Sequence, residues 1–127
     1  MRNALQLMVC VALAGSPLAG HAQTPNSVQI TDGESLVRDC TPAQDDPVRG
    51  TRQLACAAYI AGAADAMVSL MNASKAGSKP FCPPETITYA PIRDAALKYI
   101  RDNPGMAKST AALAVDLVLP QIYPCPK

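Results

Sequence analysis

The chain has 127 residues and a mass of 13.3 kDa, with 11 basic and 10 acidic residues, five cysteines, one histidine and no tryptophan. This length accommodates one domain. A hydrophobic fraction of 49% is too high for a disordered chain, and 4% aromatic residues are too few for a surface that stacks nucleic-acid bases. A net charge of +1 also lacks the concentrated positive charge that nucleic-acid binders need, so we expect no nucleic-acid partner.

The first 22 residues have the pattern of a secretory signal peptide. A basic residue near the start precedes an apolar run from Ala4 to Ala14, and Gly20-His21-Ala22 is a small-x-small cleavage sequence. A membrane anchor needs about twenty apolar residues, and Pro17 interrupts this run well before that length. We therefore expect cleavage after Ala22, a periplasmic mature chain of residues 23–127, and no membrane attachment of that mature chain.

Cleavage of this segment changes which reactive side chains the protein contains. The mature chain has ten basic and ten acidic residues, four cysteines and no histidine, because Arg2, Cys10 and His21 all lie in the leader. Without an imidazole group, Ser-His-Asp and Cys-His nucleophile systems and histidine-ligated zinc are excluded. We therefore predict that the protein is not an enzyme and uses no cofactor.

The four mature cysteines have the pattern of a disulfide framework. Cys40, Cys56, Cys82 and Cys125 are an even number in a short exported chain. Zinc sites use close cysteine pairs, whereas the separations here are 16, 26 and 43 residues, so we predict no metal site. Four cysteines allow three pairings. We favour Cys40 with Cys56, which joins adjacent helical segments, and Cys82 with Cys125, which ties the C-terminal tail to a loop.

The N-terminal part of the mature chain is predicted to contain a loose arm and one short helix. Residues 23–30 are polar and without periodicity. Thr31 and Glu34 fit a capping box, with Thr31 as the N-cap, and the helix that they begin is expected to end near Cys40.

The second predicted helix is the longest, and it is expected to run to about Met71. Asp46 is its predicted N-cap, with Pro47 at the first helical position. Gly62 and the surrounding alanines predict the close approach of a neighbouring helix. Asp65 admits two interpretations, a buried hydrogen-bonding group or a solvated side chain. The predicted buried face carries apolar residues three and four positions apart: Cys56, Ile60, Ala63, Met67 and Leu70.

The C-terminal half is also predicted to be helical. A third helix is expected from near Thr88 to about Asp102. Asn103-Pro104 is expected to begin a fourth helix, which Pro120 ends. No segment shows the sustained alternation of a β-strand, so we predict a small all-α domain of four or five helices, stapled by two disulfides.

The polar loop between the second and third helices is the predicted partner-binding segment. Loops on a rigid, disulfide-bonded scaffold commonly carry recognition. The candidate partner-binding residues are Asn72, Ser74, Lys75, Ser78 and Lys79.

Several short motifs are spread along the mature chain. They are Leu36 to Cys40, Cys56-Ala57-Ala58-Tyr59-Ile60-Ala61-Gly62 with Asp65, Phe81-Cys82-Pro83-Pro84, Tyr99 with Asn103-Pro104, and Tyr123-Pro124-Cys125. As a set, they resemble the Rap/Tai immunity-protein family of type VI secretion systems over about residues 33 to 125. The chain departs from the family pattern at Ala58, where a glycine is frequent, and at Tyr123, where a phenylalanine is frequent.

The resemblance implies a fold, a location and a partner. It implies a small, helical, disulfide-containing periplasmic protein that binds a toxic peptidoglycan amidase and blocks its active site, and that is commonly a homodimer. It assigns no inhibitory contact residues, because the motif residues are mostly cysteines and packing positions. The alternative is a periplasmic small-ligand-binding or chaperone-like helical module without an amidase partner, in which Ala- and Met-lined helices enclose an apolar ligand.

Overall fold

The structure, a computed structural model, describes residues 28–74 and 79–126. The predicted leader, residues 1–22, and the first five residues of the predicted arm lie outside this part of the chain. The described residues form α1 (Gly33–Cys40), α2 (Arg49–Ala73), α3 (Tyr89–Asp102), a 3-10 helix (Pro104–Lys108) and α4 (Ala111–Ile122). The prediction of an all-α domain with two disulfides is therefore confirmed.

The capping box of α1 lies one residue later than predicted. Asp32, and not Thr31, is the N-cap, and its Oδ1 accepts a 2.9 Å hydrogen bond from the Ser35 N–H. The Ser35 hydroxyl oxygen accepts in return from the Asp32 N–H at 3.0 Å. Thr31 is instead held against the start of α4, because its carbonyl accepts a hydrogen bond from the Ala111 N–H. The observed box satisfies the backbone N–H groups of Ser35 and Asp32, each one position after the N–H groups of Glu34 and Thr31 that the predicted box would have satisfied.

Helix α2 begins at Arg49, later than the predicted start at Pro47. Asp46 stabilises a turn that leads into the helix. Its Oδ1 accepts a hydrogen bond from the Val48 N–H at 2.9 Å, and its carbonyl accepts from the Arg49 N–H at 3.0 Å. Asp46 therefore caps the turn and not the helix itself.

The predicted buried face of α2 is correct at its centre and wrong at its C-terminal end. Cys56 and Ile60 are buried, and Ala63 and Met67 pack half-buried against the core. Leu70 is 64% exposed. At about 100° per residue, Leu70 lies about 80° away from Ile60 around the helix axis, so it falls outside the buried stripe.

Helices α3 and α4 supply most of the remaining core. Helix α3 has Thr88 as its N-cap and ends at Asp102, as predicted. Leu36 of α1, Ala64 of α2 and Phe81 complete the core. The fully or nearly buried apolar residues of α3 and α4 are Ile92, Ala96, Leu97, Ile100, Ala111, Ala114, Val115, Val118 and Leu119.

The fourth predicted helix is divided into two elements and extends beyond its predicted end. Asn103 and Pro104 begin the 3-10 helix, and α4 starts only at Ala111. Pro120 lies inside α4, which continues to Ile122. A proline this close to a helix end removes a single hydrogen bond, to the carbonyl of exposed Asp116, and the Tyr123 N–H still donates to the Leu119 carbonyl at 2.9 Å.

Candidate partner-binding surface

A disulfide and a buried aromatic side chain anchor one side of the predicted partner-binding loop. Phe81 is 2% exposed, and Cys82 is bonded to Cys125 with an S–S distance of 2.06 Å. The Cys82 N–H also donates a 2.8 Å hydrogen bond to the carbonyl of Tyr123. The chain that follows exposed Lys79 is therefore held firmly against the C-terminal tail.

Helix α2 anchors the other side of the loop. Ser74 is the C-cap of α2, and its N–H donates to the Leu70 carbonyl at 3.0 Å. Asn72 and Ser74 are exposed, as is Lys79 on the far side. Lys75 and Ser78 lie outside the described residues. Three of the five predicted partner-binding residues thus lie on the surface, at the two rigid ends of the loop.

The second disulfide joins α1 to α2. Cys40, the last residue of α1, is bonded to Cys56 with an S–S distance of 1.99 Å. Both disulfides in the structure use the pairs that the sequence favoured. The two bonds join cysteines that are 16 and 43 positions apart, one pair in each half of the domain. They therefore reduce the number of conformations that each half can adopt when it unfolds.

An ion-pair cluster around the buried carboxylate of Asp39 lies next to Cys40. The Asp39 side chain has no exposed surface, and its two carboxylate oxygens accept hydrogen bonds from the Arg38 Nε and a terminal Arg38 nitrogen, each at 2.9 Å. Arg52 of α2 donates to Asp39 through one terminal nitrogen and to Asp46 Oδ2 through Nε, the latter at 2.9 Å. Asp39 therefore connects α1 to α2 beside the disulfide.

The charge state of Asp39 follows from these contacts. Burial alone would raise the pKa of the Asp39 carboxyl, but hydrogen bonds from the guanidinium groups of Arg38 and Arg52 hold that pKa below its usual value. A carboxylate that is ionised and held by two arginines is a poor proton acceptor, so Asp39 has a structural role. Sequence reasoning missed it, because Asp39 and Arg52 are 13 positions apart and only the packing of α1 on α2 brings them together.

The structure resolves the two interpretations of Asp65. Its side chain is exposed, and its Oδ1 accepts a 2.9 Å hydrogen bond from the Tyr89 hydroxyl of α3. This hydrogen bond to a carboxylate raises the pKa of Tyr89, since deprotonation would place two negative charges side by side. The tyrosine is therefore held as a hydrogen-bond donor, and the pair links α2 to α3.

The grooves beside this pair are small. Ala57, Ile60, Tyr89 and Arg93 line one groove of about 180 Å³. Arg93 also lines a second groove of about 190 Å³, which lies against the Cys40–Cys56 disulfide. Among the described residues, no group of three or more His, Cys, Asp or Glu side chains is arranged to hold a metal ion.

These features define a class of protein. A helical scaffold held by two disulfides and an ion-pair cluster presents exposed polar residues beside a loop and an exposed apolar helix, and this arrangement suits the binding of another protein.

A comparison with protein families identifies the family to which the chain belongs. The family model of the Rap1a immunity proteins matches residues 32–125, so the chain belongs to this family. Its function is immunity, exerted on a protein toxin as its partner. Members of this family are inhibitors, which confirms the prediction that the chain is not an enzyme. No curated protein and no solved structure matches the chain.

Proposed function

We propose that this protein is a periplasmic immunity protein that binds a peptidoglycan amidase effector of a type VI secretion system and occludes the effector's active site. The observation that carries the proposal is the family match over residues 32–125, a range that includes helices α1 to α4 and the two disulfides of the described residues. The signal-peptide pattern of residues 1–22 and the disulfide-bonded cysteines fit an oxidising, extracytoplasmic compartment. An inhibitor of an enzyme that cleaves the cell wall has to act in that compartment.

Occlusion of an active site depends on a rigid, complementary surface and needs no catalytic group. A surface that is ordered before binding loses less conformational entropy when the complex forms. The Cys82–Cys125 disulfide and buried Phe81 supply this order beside Lys79.

The proposed effector contacts are five polar residues in the last turn of α2 and in the loop that follows it. Their amide, hydroxyl and ammonium groups can donate hydrogen bonds to carbonyl and carboxylate groups of the effector. These residues are Asn72, Ser74, Lys75, Ser78 and Lys79. We further propose that the protein acts as a homodimer, as the resemblance to Rap/Tai proteins implies.

A protection experiment tests the proposed function. The first candidate effector to test is any small Cys-His hydrolase that a neighbouring gene encodes. Exported to the periplasm of a susceptible Gram-negative host, the hydrolase should lyse the cells, and co-export of this protein should restore growth. As a control, the chain without residues 1–22, retained in the cytoplasm, should give no protection.

A pull-down and a mass measurement complete the test. The immobilised mature chain should capture the hydrolase from a periplasmic extract. Failure of both capture and protection would overturn the proposed function. Native mass spectrometry of the purified protein should show no bound small molecule, whereas a retained apolar ligand would support the alternative ligand-binding module.

A further inference from the structure

The two small grooves between α2 and α3 share the same two side chains. Ala57 of α2 and Arg93 of α3 line both of them. The first groove also contacts Tyr89, which lies one turn before Arg93 on α3, and the second contacts Gln53, which lies one turn before Ala57 on α2. The two grooves are therefore parts of one depression along the line where the helices meet. We call this depression the Arg93 groove and define it by Gln53, Ala57, Tyr89 and Arg93.

Arg93 is the only charged side chain among the described residues that line the Arg93 groove. Its Nε and one terminal nitrogen both contact a single oxygen, Oδ1 of the adjacent Asp94, at 2.8 Å. The Asp94 side chain is 64% exposed, and an ion pair in solvent is weak. A carboxylate from a partner can therefore take the place of Asp94 at small cost.

The Arg93 groove also contains hydrogen-bond donors that no described residue uses. The second terminal nitrogen of Arg93 has no acceptor among the described residues, and neither does the side-chain amide of Gln53. A guanidinium group carries donors only, and its fork matches the two oxygens of a carboxylate. The charge and the donors of this groove are therefore complementary to a carboxylate.

The size of the groove indicates an amino-acid side chain as its occupant. Its two parts have volumes of about 180 and 190 Å³. Sites for small-molecule ligands are larger, at about 300–1,000 Å³. Ile60 and Cys56 line the groove and are almost fully buried, so the aliphatic part of an acidic side chain would contact apolar surface there.

The Arg93 groove and the predicted partner-binding loop lie close enough to contact one partner. Ala57 and Asn72 are 15 positions apart on α2, which places them about 22 Å apart along the helix axis and about 60° apart around it. A protein interface of standard size covers about 800 Å² of each partner, an area roughly 30 Å across. A single effector can therefore cover both.

We propose that the Arg93 groove receives an aspartate or glutamate side chain of the effector, whose carboxylate accepts hydrogen bonds from the Arg93 guanidinium and the Gln53 amide. The inference rests on the proposed function and adds to it a second contact of stated chemistry. An effector without an acidic side chain at this position would cover Arg93 with only Asp94 as its counterion, and would therefore bind less tightly.

Calorimetric titration of the mature chain with the hydrolase captured in the pull-down tests the role of Arg93. Arg93→Gln should raise the Kd at least tenfold, because it removes the charge and the fork while keeping a polar side chain. Arg93→Lys should lose part of the affinity, since lysine keeps the charge without the fork. Arg101→Gln is the matched control. Arg101 is exposed on α3 and lines neither part of the groove, so this variant should bind like the wild type.

Asp94→Asn distinguishes a direct contact of Arg93 from a structural role. If Arg93 acted only by holding Asp94, then Asp94→Asn and Arg93→Gln would weaken binding alike. In the proposed contact, Asp94 competes with the carboxylate of the effector for the same guanidinium. Asp94→Asn should therefore leave the Kd unchanged or lower it, and a Kd raised as far as in Arg93→Gln would overturn the proposal.

Filling the groove tests its position. Ala57→Leu should raise the Kd at least tenfold, because Ala57 is exposed and lines both parts of the groove. Ala66→Leu is the matched control, since Ala66 is also exposed but lies about 180° away around the axis of α2. That side of α2 is open. A Cβ built at Gly62 has no described atom within 4 Å, so the predicted approach of a neighbouring helix to Gly62 is wrong for the described helices of this chain.

Charge exchange identifies the acidic residue of the effector. Each exposed Asp or Glu of the hydrolase is replaced in turn by Lys and titrated against the wild-type chain and against Arg93→Glu. One of these replacements should weaken binding to the wild type and strengthen binding to Arg93→Glu. If no replacement does both, the proposed contact is wrong.

The outcomes separate the proposed contact from the proposed function. A wild-type chain that neither captures the hydrolase nor protects cells overturns both. A wild-type chain that does both, with an unchanged Kd in Arg93→Gln and Ala57→Leu, overturns the contact alone. Sedimentation of the wild type with anionic phospholipid vesicles, abolished by Arg93→Gln, would assign the groove to a membrane and also overturn the contact.

Discussion

Gly33, the first residue of α1, lies directly against the carbonyl group of Met106 in the 3-10 helix. A Cβ at position 33 would be 2.3 Å from the Met106 oxygen and 3.0 Å from its carbonyl carbon. The Gly33 N–H donates a 3.0 Å hydrogen bond to the carbonyl of Ser109, which keeps the two backbone segments together. The start of α1 and the segment that leads into α4 can pack in this way only if residue 33 has no side chain.

Gly33→Ala is therefore expected to destabilise the fold. Relief of the clash requires a backbone shift, which costs about 1–3 kcal/mol. Urea denaturation of the mature chain should show this decrease in the free energy of unfolding. Gly105→Ala is the control, because a Cβ there has no described atom within 4 Å, and its effect should be neutral or stabilising by up to about 1 kcal/mol. Equal stability of the two variants would contradict the close approach.

Asp39→Asn should be one of the more destabilising substitutions of a polar residue. It leaves the guanidinium of Arg52, whose side chain is 18% exposed, without its buried counterion. Because Arg52 keeps its ion pair with Asp46, the expected cost is about 2 kcal/mol, the value of hydrogen bonds lost to a charged group. Asp94→Asn is the matched control, since the Arg93–Asp94 pair lies in solvent and contributes less than about 1 kcal/mol. Thermal and urea denaturation at pH 7 should separate the two variants, and similar losses in both would argue against a special role for Asp39.

The ion pairs of Asp39 with Arg38 and Arg52 predict that the stability of the fold decreases in acid. Because the pKa of Asp39 is lower in the folded chain than in the unfolded chain, its stabilising effect is fully present above the unfolded value of about 3.9 and is lost as the pH falls through the lower, folded value. Asp32 adds to this dependence, since the Ser35 N–H lowers the pKa of its carboxyl.

Urea denaturation from pH 7 to pH 2 measures this effect. The free energy of unfolding of the wild type should decrease as the pH is lowered from about 4. Asp39→Asn should show a smaller decrease, and the decrease that remains should come from Asp32. An identical slope in the two proteins would show that Asp39 does not titrate in this range.

The two disulfides should differ in their effect on effector binding. Replacement of Cys82 and Cys125 by alanine should lower the free energy of unfolding by about 4 kcal/mol, and replacement of Cys40 and Cys56 by about 3 kcal/mol, in the chain-entropy description. Only the first pair of changes removes the anchor beside Lys79, so that variant should also bind the effector more weakly at a temperature where both variants remain folded. Non-reducing peptide mapping should show the same two linkages in periplasmic protein, and crossed pairs would contradict the assignment.

Charge reversal at the loop tests the proposed effector contact. Lys79→Glu should weaken binding of the effector at least tenfold, equivalent to about 1.4 kcal/mol, because it replaces a donor with an acceptor at the rigid end of the loop. Lys98→Glu, on the exposed surface of α3, is the control and should leave the affinity unchanged. Calorimetric titration measures both. Equal affinities would place the contact elsewhere on the protein.

Predictions from local sequence patterns agreed best with the structure where the pattern depends on neighbouring residues. Helix α3 starts beside Thr88 and ends at Asp102 as expected, because helix propensity acts over a few positions, although the Thr88 side chain makes no capping hydrogen bond. The prediction of a capping box at the start of α1 was correct, but it placed the N-cap one residue too early. The Thr31 carbonyl instead accepts a hydrogen bond from the Ala111 N–H of α4. Pro120 did not end α4, because a proline in the last turn of a helix removes one hydrogen bond while apolar packing holds the rest in place.

The candidate site was only partly predictable. The sequence alone placed recognition in the polar loop from Asn72 to Lys79, and the structure adds that Phe81 and the Cys82–Cys125 bond stiffen one end of that loop. No sequence pattern showed which side of α2 is exposed, because the same mixture of alanine and leucine is found on buried helices. Only the arrangement of α1, α3 and α4 around α2 shows which of its sides stays uncovered.

The sequence by itself determined the helical class and the four cysteines that form the two disulfides, and it places the single histidine in the predicted leader. Each of these follows from composition and short-range spacing. The tertiary structure decided that Asp39 meets Arg52, that Gly33 meets Met106, and that Leu70 lies in solvent. These outcomes depend on contacts between residues far apart in the chain, whose free energy is set by burial and shape once the helices pack.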